Sequence, residues 1–381
     1  MATSTSRLAL VVLTAVALWG GACQDGDSSP STEALSPPPQ PTAMGSRSTE
    51  TAGRRPQPAA SCPNPEPTPH PSSPTKRQLY VASADGAQET PVAVGFDPVW
   101  SPGSDRIAFV RGSGNLGFSG CVFTVDPRNP APVGVGQVFY SDALEGCRNG
   151  PSVTWSPDGE FIAFDTDGSW RKVDTFDFVQ DVEPGTYVVP ADGSSAPTYV
   201  GRGYNPSWSP DGKRLAYSGL PPSSGGCTIR VVDVEGGDSQ PLTPGWTPAW
   251  SPDGERIAFL REDGVYVIDV DSRGERRVLQ VDRPYGRPWE AIAWSADGQR
   301  LAYSNDRAYA VDLSGDLPAA DLGWGAEPVW LPDGSLAVVS YEDGRAVRYV
   351  VGTDGTRQRV ASIDASRASL SPDSSQVVLV R

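Results

Sequence analysis

The sequence predicts an all-β fold, a seven-bladed β-propeller of four-stranded antiparallel blades. The main observation is a motif that occurs seven times: a large apolar residue, a Ser-Pro-Asp-Gly-like turn and an Ile-Ala-Phe-like run. A period of about 45 residues indicates packed repeat units, because one such unit cannot bury its apolar faces alone. The residues that precede the seven turns are Trp100, Trp155, Trp208, Trp250, Trp294, Trp330 and Leu370.

The fourth copy shows how one blade is built. Residues 248–250 and 257–260 form the first two predicted strands, and residues 251–254, Ser-Pro-Asp-Gly, form the turn between them. Residues 265–269 and 277–280 form the third and fourth strands, each after a break that contains glycine. Four antiparallel strands in about 45 residues match the size of a propeller blade.

The two ends of the chain predict how the seventh blade is completed. The folded part begins with a third-strand pattern at Leu79 and stops after a second-strand pattern at residues 377–381. We therefore expect the N- and C-terminal strands to pair and close the propeller, which removes exposed sheet edges.

The repeated tryptophans and aspartates are interpreted as structural. Each tryptophan would bury about 200 Å² between neighbouring blades, which is worth about 5 kcal/mol at about 25 cal/mol per Å². The aspartates favour the turn conformation, so we do not interpret them as paired catalytic carboxylates. They are Asp158, Asp211, Asp253, Asp297 and Asp333.

Three segments are predicted along the chain. Residues 1–23 resemble a signal peptide with a lipobox-like cleavage site, in which Cys23 would be lipidated, and ordinary signal cleavage is the alternative. Residues 24–76 are rich in proline, serine and threonine and are expected to form a disordered tether. Residues 77–381 form the propeller.

Composition excludes several functional classes. The formal net charge is −15, and it lies on the propeller region because the acids and bases of residues 1–76 cancel. Such a surface repels phosphate backbones, so nucleic acid is not an expected partner. The single histidine, His70, lies in the predicted tether, so we expect no histidine-based catalytic set, no cofactor and no metal site.

Two long insertions in adjoining blades predict a raised acidic and aromatic patch on one face, since long loops on a rigid scaffold commonly carry function. One insertion is residues 140–150. The alternative for both insertions is that they are decorative and carry no function. A fragment of a calcium loop, Asp-x-Asp-Gly, begins the second insertion but lacks the full ligand series. The residues proposed for the binding loop are Asp165, Asp167, Trp170, Asp174, Asp177 and Asp181.

Four cysteines besides Cys23 favour two disulfides in an exported protein. Cys121 and Cys227 each begin a predicted third strand, and Cys147 lies in a loop between blades. Pairing of Cys121 with Cys147 and of Cys62 with Cys227 is expected, although three pairings are formally possible.

The Trp-Ser-Pro-Asp-Gly motif, the Ile-Ala-Phe run and the later Tyr-Val-x-Asp pattern resemble the WD-repeat-like blades of the TolB family. Similar blades occur in the propeller domains of prolyl oligopeptidases. The resemblance covers about residues 77–381 and implies a propeller fold and a role in binding. This chain departs from the TolB pattern, which has an α/β domain before six blades.

Together these observations predict an exported, monomeric and non-enzymatic propeller, anchored to the outer face of a bacterial membrane or periplasmic. Its partner would be a protein or a cell-envelope glycan, bound at the loop-rich face or in the central channel. The membrane contact would be the N-terminal lipid alone. A carboxylate-dependent glycan hydrolase or lyase is the alternative, and a structural spacer is a third possibility.

Overall fold

The computed structural model describes the propeller region with short gaps. The described residues are 77–83, 88–113, 118–140, 152–172, 178–220, 226–281, 291–305, 307–315, 318–342, 345–352, 356–363, 367–373 and 375–380. They form strands and turns. In this part of the chain, no helix is long and apolar enough to cross a membrane.

Seven four-stranded antiparallel sheets make up the fold, as the repeat predicts. Sheet 1 consists of β3 (Phe96–Trp100), β4 (Ile107–Ser113), β5 (Phe118–Asp126) and β6 (Asn129–Tyr140). Sheet 2 consists of β7 (Val153–Trp155), β8 (Phe161–Thr166), β11 (Gly185–Pro190) and β12 (Thr198–Gly201). Sheet 3 consists of β13 (Gly203–Trp208), β14 (Arg214–Gly219), β15 (Thr228–Asp233) and β16 (Gln240–Pro244). A separate pair, β9 (Ser169–Lys172) and β10 (Phe178–Val182), lies between β8 and β11 in the chain.

The remaining sheets repeat this plan. Sheet 4 consists of β17 (Trp246–Trp250), β18 (Arg256–Arg261), β19 (Gly264–Asp269) and β20 (Glu275–Gln280). Sheet 5 consists of β21 (Ala291–Trp294), β22 (Arg300–Ser304), β23 (Arg307–Asp312) and β24 (Ala320–Trp324). Sheet 6 consists of β25 (Ala326–Trp330), β26 (Leu336–Glu342), β27 (Arg345–Val351) and β28 (Arg357–Ile363). Sheet 7 consists of β29 (Arg367–Leu370), β30 (Gln376–Val380), β1 (Gln78–Ser83) and β2 (Glu89–Val94).

Sheet 7 joins the two ends of the folded part. Its strand order is β2-β1-β30-β29, and β1 pairs antiparallel with β30, with Leu79 opposite Val380 and Ala82 opposite Val377. The apolar side chains of sheet 7 pack with those of sheet 1, including Ile107 and Phe109. The first and last strands therefore share one sheet, as the phase of the repeat predicts.

The Ser-Pro-Asp-Gly turns are held by a repeated set of hydrogen bonds. In sheet 3 the Ser209 hydroxyl donates to Asp211 Oδ1 at 2.6 Å and accepts from the backbone N–H of Arg214 at 2.9 Å. Gly212 has φ +69°, a left-handed conformation that favours glycine. Corresponding serine–aspartate bonds occur at Asp158, Asp253, Asp297 and Asp373. In sheet 6, where Leu331 replaces the serine, Asp333 accepts from the Ser335 hydroxyl instead. The interpretation of the repeated aspartates as turn formers is confirmed.

Tryptophan side chains connect neighbouring sheets near these turns. At four junctions the indole N–H donates to a backbone carbonyl of the preceding sheet. The acceptor is the residue just before the position that is equivalent to the tryptophan in that sheet. These bonds run from Trp100 to Ser369 at 3.1 Å, Trp155 to Val99 at 3.0 Å, Trp294 to Ala249 at 2.9 Å and Trp330 to Ala293 at 3.1 Å.

An arginine of the preceding sheet covers the tryptophan at four junctions. Arg300, at the start of β22, lies over Trp330 with its guanidinium carbon 4.5 Å from the ring centroid, and it donates to Gly334 O at 3.1 Å. Such a stack contributes about 0.5–2 kcal/mol. The other three pairs are Arg106 over Trp155, Arg214 over Trp250 and Arg256 over Trp294.

The junction between sheets 2 and 3 lacks both features. Phe161 stands where the arginine occurs in sheets 1, 3, 4 and 5, and its side chain is partly exposed. Trp208 is buried, yet its indole N–H has no hydrogen-bond partner. A buried donor without a partner lowers stability by about 1–3 kcal/mol.

We expect phenylalanine to be tolerated better at Trp208 than at Trp155. Trp155→Phe removes a hydrogen bond across a junction and leaves Val99 O without its donor, whereas Trp208→Phe removes an unpartnered N–H. The loss of unfolding free energy should therefore be larger for Trp155→Phe by about 1–3 kcal/mol. Urea unfolding of both variants measures this difference, and an equal loss would contradict the hydrogen-bond assignment.

Candidate functional site

The propeller has two different faces. The turn face holds the Ser-Pro-Asp-Gly turns and the turns between third and fourth strands. The opposite loop face holds the connections between second and third strands and those between successive sheets. Function in propellers is carried by sites on the scaffold rather than by the fold itself, so the two faces are considered separately.

Two neighbouring sheets, 1 and 2, extend far on the loop face, and the central ladder of sheet 6 reaches as far as that of sheet 1, to Glu342 opposite Arg345. In sheet 3 the outer ladder ends at Thr228 opposite Pro244, whereas in sheet 1 it continues for three more pairs, to Phe118 opposite Tyr140. In sheet 2 the strands β8 and β11 are followed by the hairpin β9–β10, with Gln180 opposite Trp170. We call residues 118–120, 138–140, 169–172 and 178–182 the raised rim.

The hairpin is anchored to its sheet at its base. Thr166 pairs with Gly185 in the ladder of sheet 2, and Ser169 pairs with Val182 in the hairpin. Val182 is buried in the apolar cluster between sheets 1 and 2. Gly168 has φ +75°, and a Cβ there would lie 2.3 Å from Val182 O. The second insertion, expected to be a loop, is thus a two-stranded extension of its blade.

Asp165 has a structural role, since it lies in β8 and precedes the hairpin of the second insertion. It belongs to β8 and is fully buried. Its carboxylate accepts from the backbone N–H of Ser152 at 3.3 Å and from that of Asn205, in the next sheet, at 2.9 Å. Ser218 occupies the same position in sheet 3 and accepts from Thr247 N at 2.9 Å. The carboxylate therefore connects sheets 2 and 3.

Three of the other proposed binding residues lie at or near the raised rim. Asp167 is half-buried just before β9, Trp170 lies in β9 and Asp181 lies in β10. Asp174 and Asp177 belong to residues 173–177, which are outside the described residues. Of the first insertion, residues 140–150, Tyr140 ends β6, and residues 141–150 are outside the described residues as well.

A row of polar side chains lies on the inner strands at the loop face, and the sequence repeat did not predict it. Asn205 Nδ2 donates to Thr247 Oγ1 at 3.1 Å, and both residues have positive φ, +57° and +52°. Asp97 occupies the same place in sheet 1, with φ +50°. Strained backbone of this kind persists where surrounding contacts hold it. Buried Asn205 Oδ1 has no hydrogen-bond partner.

Arg348 in sheet 6 is the second feature that the repeat did not predict. It lies opposite Val339, a position filled in sheets 3 and 4 by buried Ile229 and Val265. Its Nε and Nη1 are buried without a hydrogen-bond partner, and burial lowers the pKa of the guanidinium. A buried charge without partners reduces stability. Nothing in the repeat explains an arginine here.

The cysteine positions agree in part with the sequence prediction. Cys227 directly precedes β15, as expected, whereas Cys121 lies inside β5 rather than at its start. Both are close to the loop-face ends of their strands. Cys62 and Cys147 are outside the described residues, so the two disulfides stay a prediction.

Many described carboxyl groups have pKa values below the usual range. Where the pKa of a described aspartate or glutamate departs from its usual value, it is lowered. For Asp211 the causes are hydrogen bonds from the Ser209 hydroxyl and from the Lys213 backbone. For Glu275, bonds from Arg261 and Thr243 outweigh an opposing effect of burial. A glycosidase general acid needs a raised pKa, which these groups do not have. The described part holds no group of three metal-ligating side chains.

No protein-family model and no curated protein matches the chain. Among solved structures, a chain of the mitotic checkpoint complex matches with a TM-score of 0.50 and 14% identity over 84% of this chain and 96% of that chain. TolB from Acinetobacter baumannii gives 0.43 and 19% over 73% of this chain and 64% of TolB, so the chain spans less than two thirds of TolB. Oligogalacturonate lyase from Vibrio parahaemolyticus gives 0.49 and 12% over 81% and 92%. At these identities the likeness concerns the fold alone.

The turn aspartates predict how stability depends on pH. Their pKa values are lower in the folded protein than in the unfolded chain, so their contribution is complete above the unfolded pKa and is lost as pH falls through the folded pKa. The melting temperature should therefore fall between about pH 5 and pH 3. Asp211→Asn should reduce this slope, as measured by calorimetry. A melting temperature that is constant over this range would contradict the turn assignment.

Proposed function

We propose that the chain is an exported, membrane-tethered propeller that binds another protein through its loop face, with the raised rim as the contact surface. The observation that carries the proposal is that two adjacent sheets extend side by side on this face, one by its outer ladder and the other by the hairpin β9–β10. Strands that extend past the core of a scaffold add backbone and side chains available for recognition without changing the scaffold.

The hairpin has the properties of a site for strand addition. Within the described residues, β9 and β10 pair with each other alone. A two-stranded ribbon is marginally stable in water, and its outer edges carry backbone groups that an extended peptide can pair with. Residues 167–183 hold five acids and two bases, Arg171 and Lys172. This balance favours a partner segment with basic side chains.

Export and tethering are supported by the N-terminal sequence. An apolar run precedes Cys23, and residues 24–76 have the composition of a flexible tether. With Cys23 lipidated, the tether would hold the propeller away from a bacterial membrane surface. These residues are outside the described part of the chain.

A binding role is favoured over glycan hydrolysis by the described carboxyl groups. Those with shifted pKa values hold turns or bind arginines, as Asp253 does with Ser251 and Arg256. The resemblance of the blade motifs to the TolB family implies a binding role as well. We therefore infer that the raised rim binds a partner protein.

The proposal is tested by shortening the hairpin. Residues 170–181 are replaced by Asn-Gly, a two-residue turn that joins the paired residues Ser169 and Val182. Residues 77–381 with and without this change are used as baits against a bacterial envelope extract, and captured proteins are identified by mass spectrometry. We expect a partner captured by the unchanged propeller to be lost with the shortened hairpin.

A change on the turn face is the matched control. Arg128 is exposed there and is paired with Asp126 at 3.0 Å, so Arg128→Ala removes an exposed side chain far from the raised rim. This variant should capture the partner normally. Equal capture by the shortened variant, with unchanged melting temperature, would exclude the hairpin as the contact.

A further inference from the structure

Trp324 is an exposed tryptophan that the blade repeat does not require. It ends β24, the outer strand of sheet 5, and 64% of its surface is exposed. The last residues of the corresponding strands in sheets 3 and 4 are Pro244 and Gln280. Tryptophan is highly buried on average in folded proteins, so this position calls for an explanation other than packing.

The backbone that presents Trp324 is fixed from the neighbouring sheet. Arg357, at the start of β28, donates from Nη1 to Leu322 O at 2.8 Å and from Nη2 to Trp324 O at 2.9 Å. Between these carbonyls lies Gly323, with φ +85°, where a Cβ would approach Arg357 Nη1 to 2.7 Å. The exposed indole is therefore held by a specific contact between sheets 5 and 6.

One side of the indole is also held by a fixed charge. The Arg307 guanidinium carbon lies 5.8 Å from the Trp324 ring centroid. Arg307 binds Asp321 with Nη2 to Oδ2 at 2.6 Å and Nε to Oδ1 at 3.2 Å, and Asp321 Oδ1 accepts from Gly323 N at 2.9 Å. The flat indole of Trp324 thus lies beside a planar donor, the Arg307 guanidinium, and a planar acceptor, the Asp321 carboxylate. The hydrogen bonds of these two groups position them.

A second aromatic group continues this surface onto sheet 6. The guanidinium carbon of Arg357 lies 3.9 Å from the ring centroid of Tyr349. The Tyr349 hydroxyl donates to Glu342, whose other oxygen lies 3.8 Å from Arg359. Arg357 therefore contacts both residues, Trp324 at its backbone carbonyl and Tyr349 at its ring, and we call these three residues the aromatic strip.

We propose that the aromatic strip is a binding subsite for a neutral glycan. The C–H face of a pyranose ring packs on an exposed indole, and its neighbouring hydroxyls bond to fixed guanidinium and carboxylate groups. Near the strip, Arg307 is paired with Asp321 and Arg359 with Glu342, while Arg357 donates to backbone carbonyls. Two of these three positive charges are matched by carboxylates, so the surface offers little attraction for a strongly charged ligand. A glycan chain fits this combination of one flat apolar surface and several polar partners.

The surroundings favour a glycan over a protein at this surface. A protein hot spot is surrounded by contacts that exclude water, whereas Trp324 lies beside the charged pair of Arg307 and Asp321, whose side chains are 39% and 45% exposed. Trp324 and Arg357 lie on the outermost strands of sheets 5 and 6, and Tyr349 lies on the third strand of sheet 6. The aromatic strip is therefore away from the inner strands, and it does not depend on the raised rim.

The test titrates the protein with uncharged oligosaccharides of defined structure: the hexamer of N-acetylglucosamine, cellohexaose and mannohexaose. Indole N–H signals are followed by NMR in ¹⁵N-labelled residues 77–381, and the Trp324 signal is assigned with Trp324→Phe. We expect one of these oligosaccharides to shift that signal on saturation. Trp324→Ala should weaken its binding at least about tenfold, which corresponds to about 1.4 kcal/mol.

Two further variants keep the test specific. Gly323→Ala retains the indole but strains the backbone that presents it, so it should also weaken binding of that oligosaccharide. Phe161→Ala removes an exposed aromatic side chain near the turn face and should bind normally. The melting temperature of every variant shows whether it is folded.

The proposal is overturned if none of the three oligosaccharides shifts the Trp324 signal, or if Trp324→Ala binds as tightly as the unchanged protein. It is also overturned if Trp324→Ala removes a captured protein from the envelope experiment while oligosaccharide binding is absent. The aromatic strip would then be a protein contact. A positive result here and a negative result with the shortened hairpin would separate this subsite from the raised rim.

Discussion

The contact between one sheet and the next is the interaction on which the rest of the structure depends. A blade of four strands has two apolar faces, and the next sheet must cover them. Here the cover includes a tryptophan whose N–H bonds a backbone carbonyl across the junction, as Trp294 does with Ala249. An arginine such as Arg256 stacks on the same ring. Because the acceptor is backbone, the bond fixes the position of one sheet relative to the next.

The same contact includes sheet 7, which contains both ends of the folded part. Trp100 of sheet 1 donates to Ser369 O of sheet 7, and β1 and β30 pair within that sheet. Holding the sheets in register places sheets 1 and 2 side by side, so their extensions form one raised rim. It also places β24 beside β28, so that Arg357 reaches the backbone around Trp324. Both proposed surfaces follow from how neighbouring sheets are aligned.

Much of the fold could be predicted from the sequence because each blade repeats local rules. The turn residues, the alternation of apolar positions and the phase of Leu79 and Val377 are visible in the sequence, and the structure agrees with them. The site was less predictable: the sequence pattern places Asp165 in a loop, whereas its carboxylate accepts from the backbone N–H of Asn205 in the next sheet. Trp324 could be recognised as a tryptophan outside the repeat, but its exposure depends on Arg357, which lies 33 residues further along the chain.

Amide hydrogen exchange of residues 77–381 tests the central claim most directly. Chain ends normally fray and exchange early, whereas strands that complete a shared sheet open with the whole fold. The account predicts that the paired amides of β1 and β30 exchange as slowly as those of β14 and β18. Rapid exchange of β1 and β30, with β14 and β18 still protected, would show that the two ends do not hold the fold together.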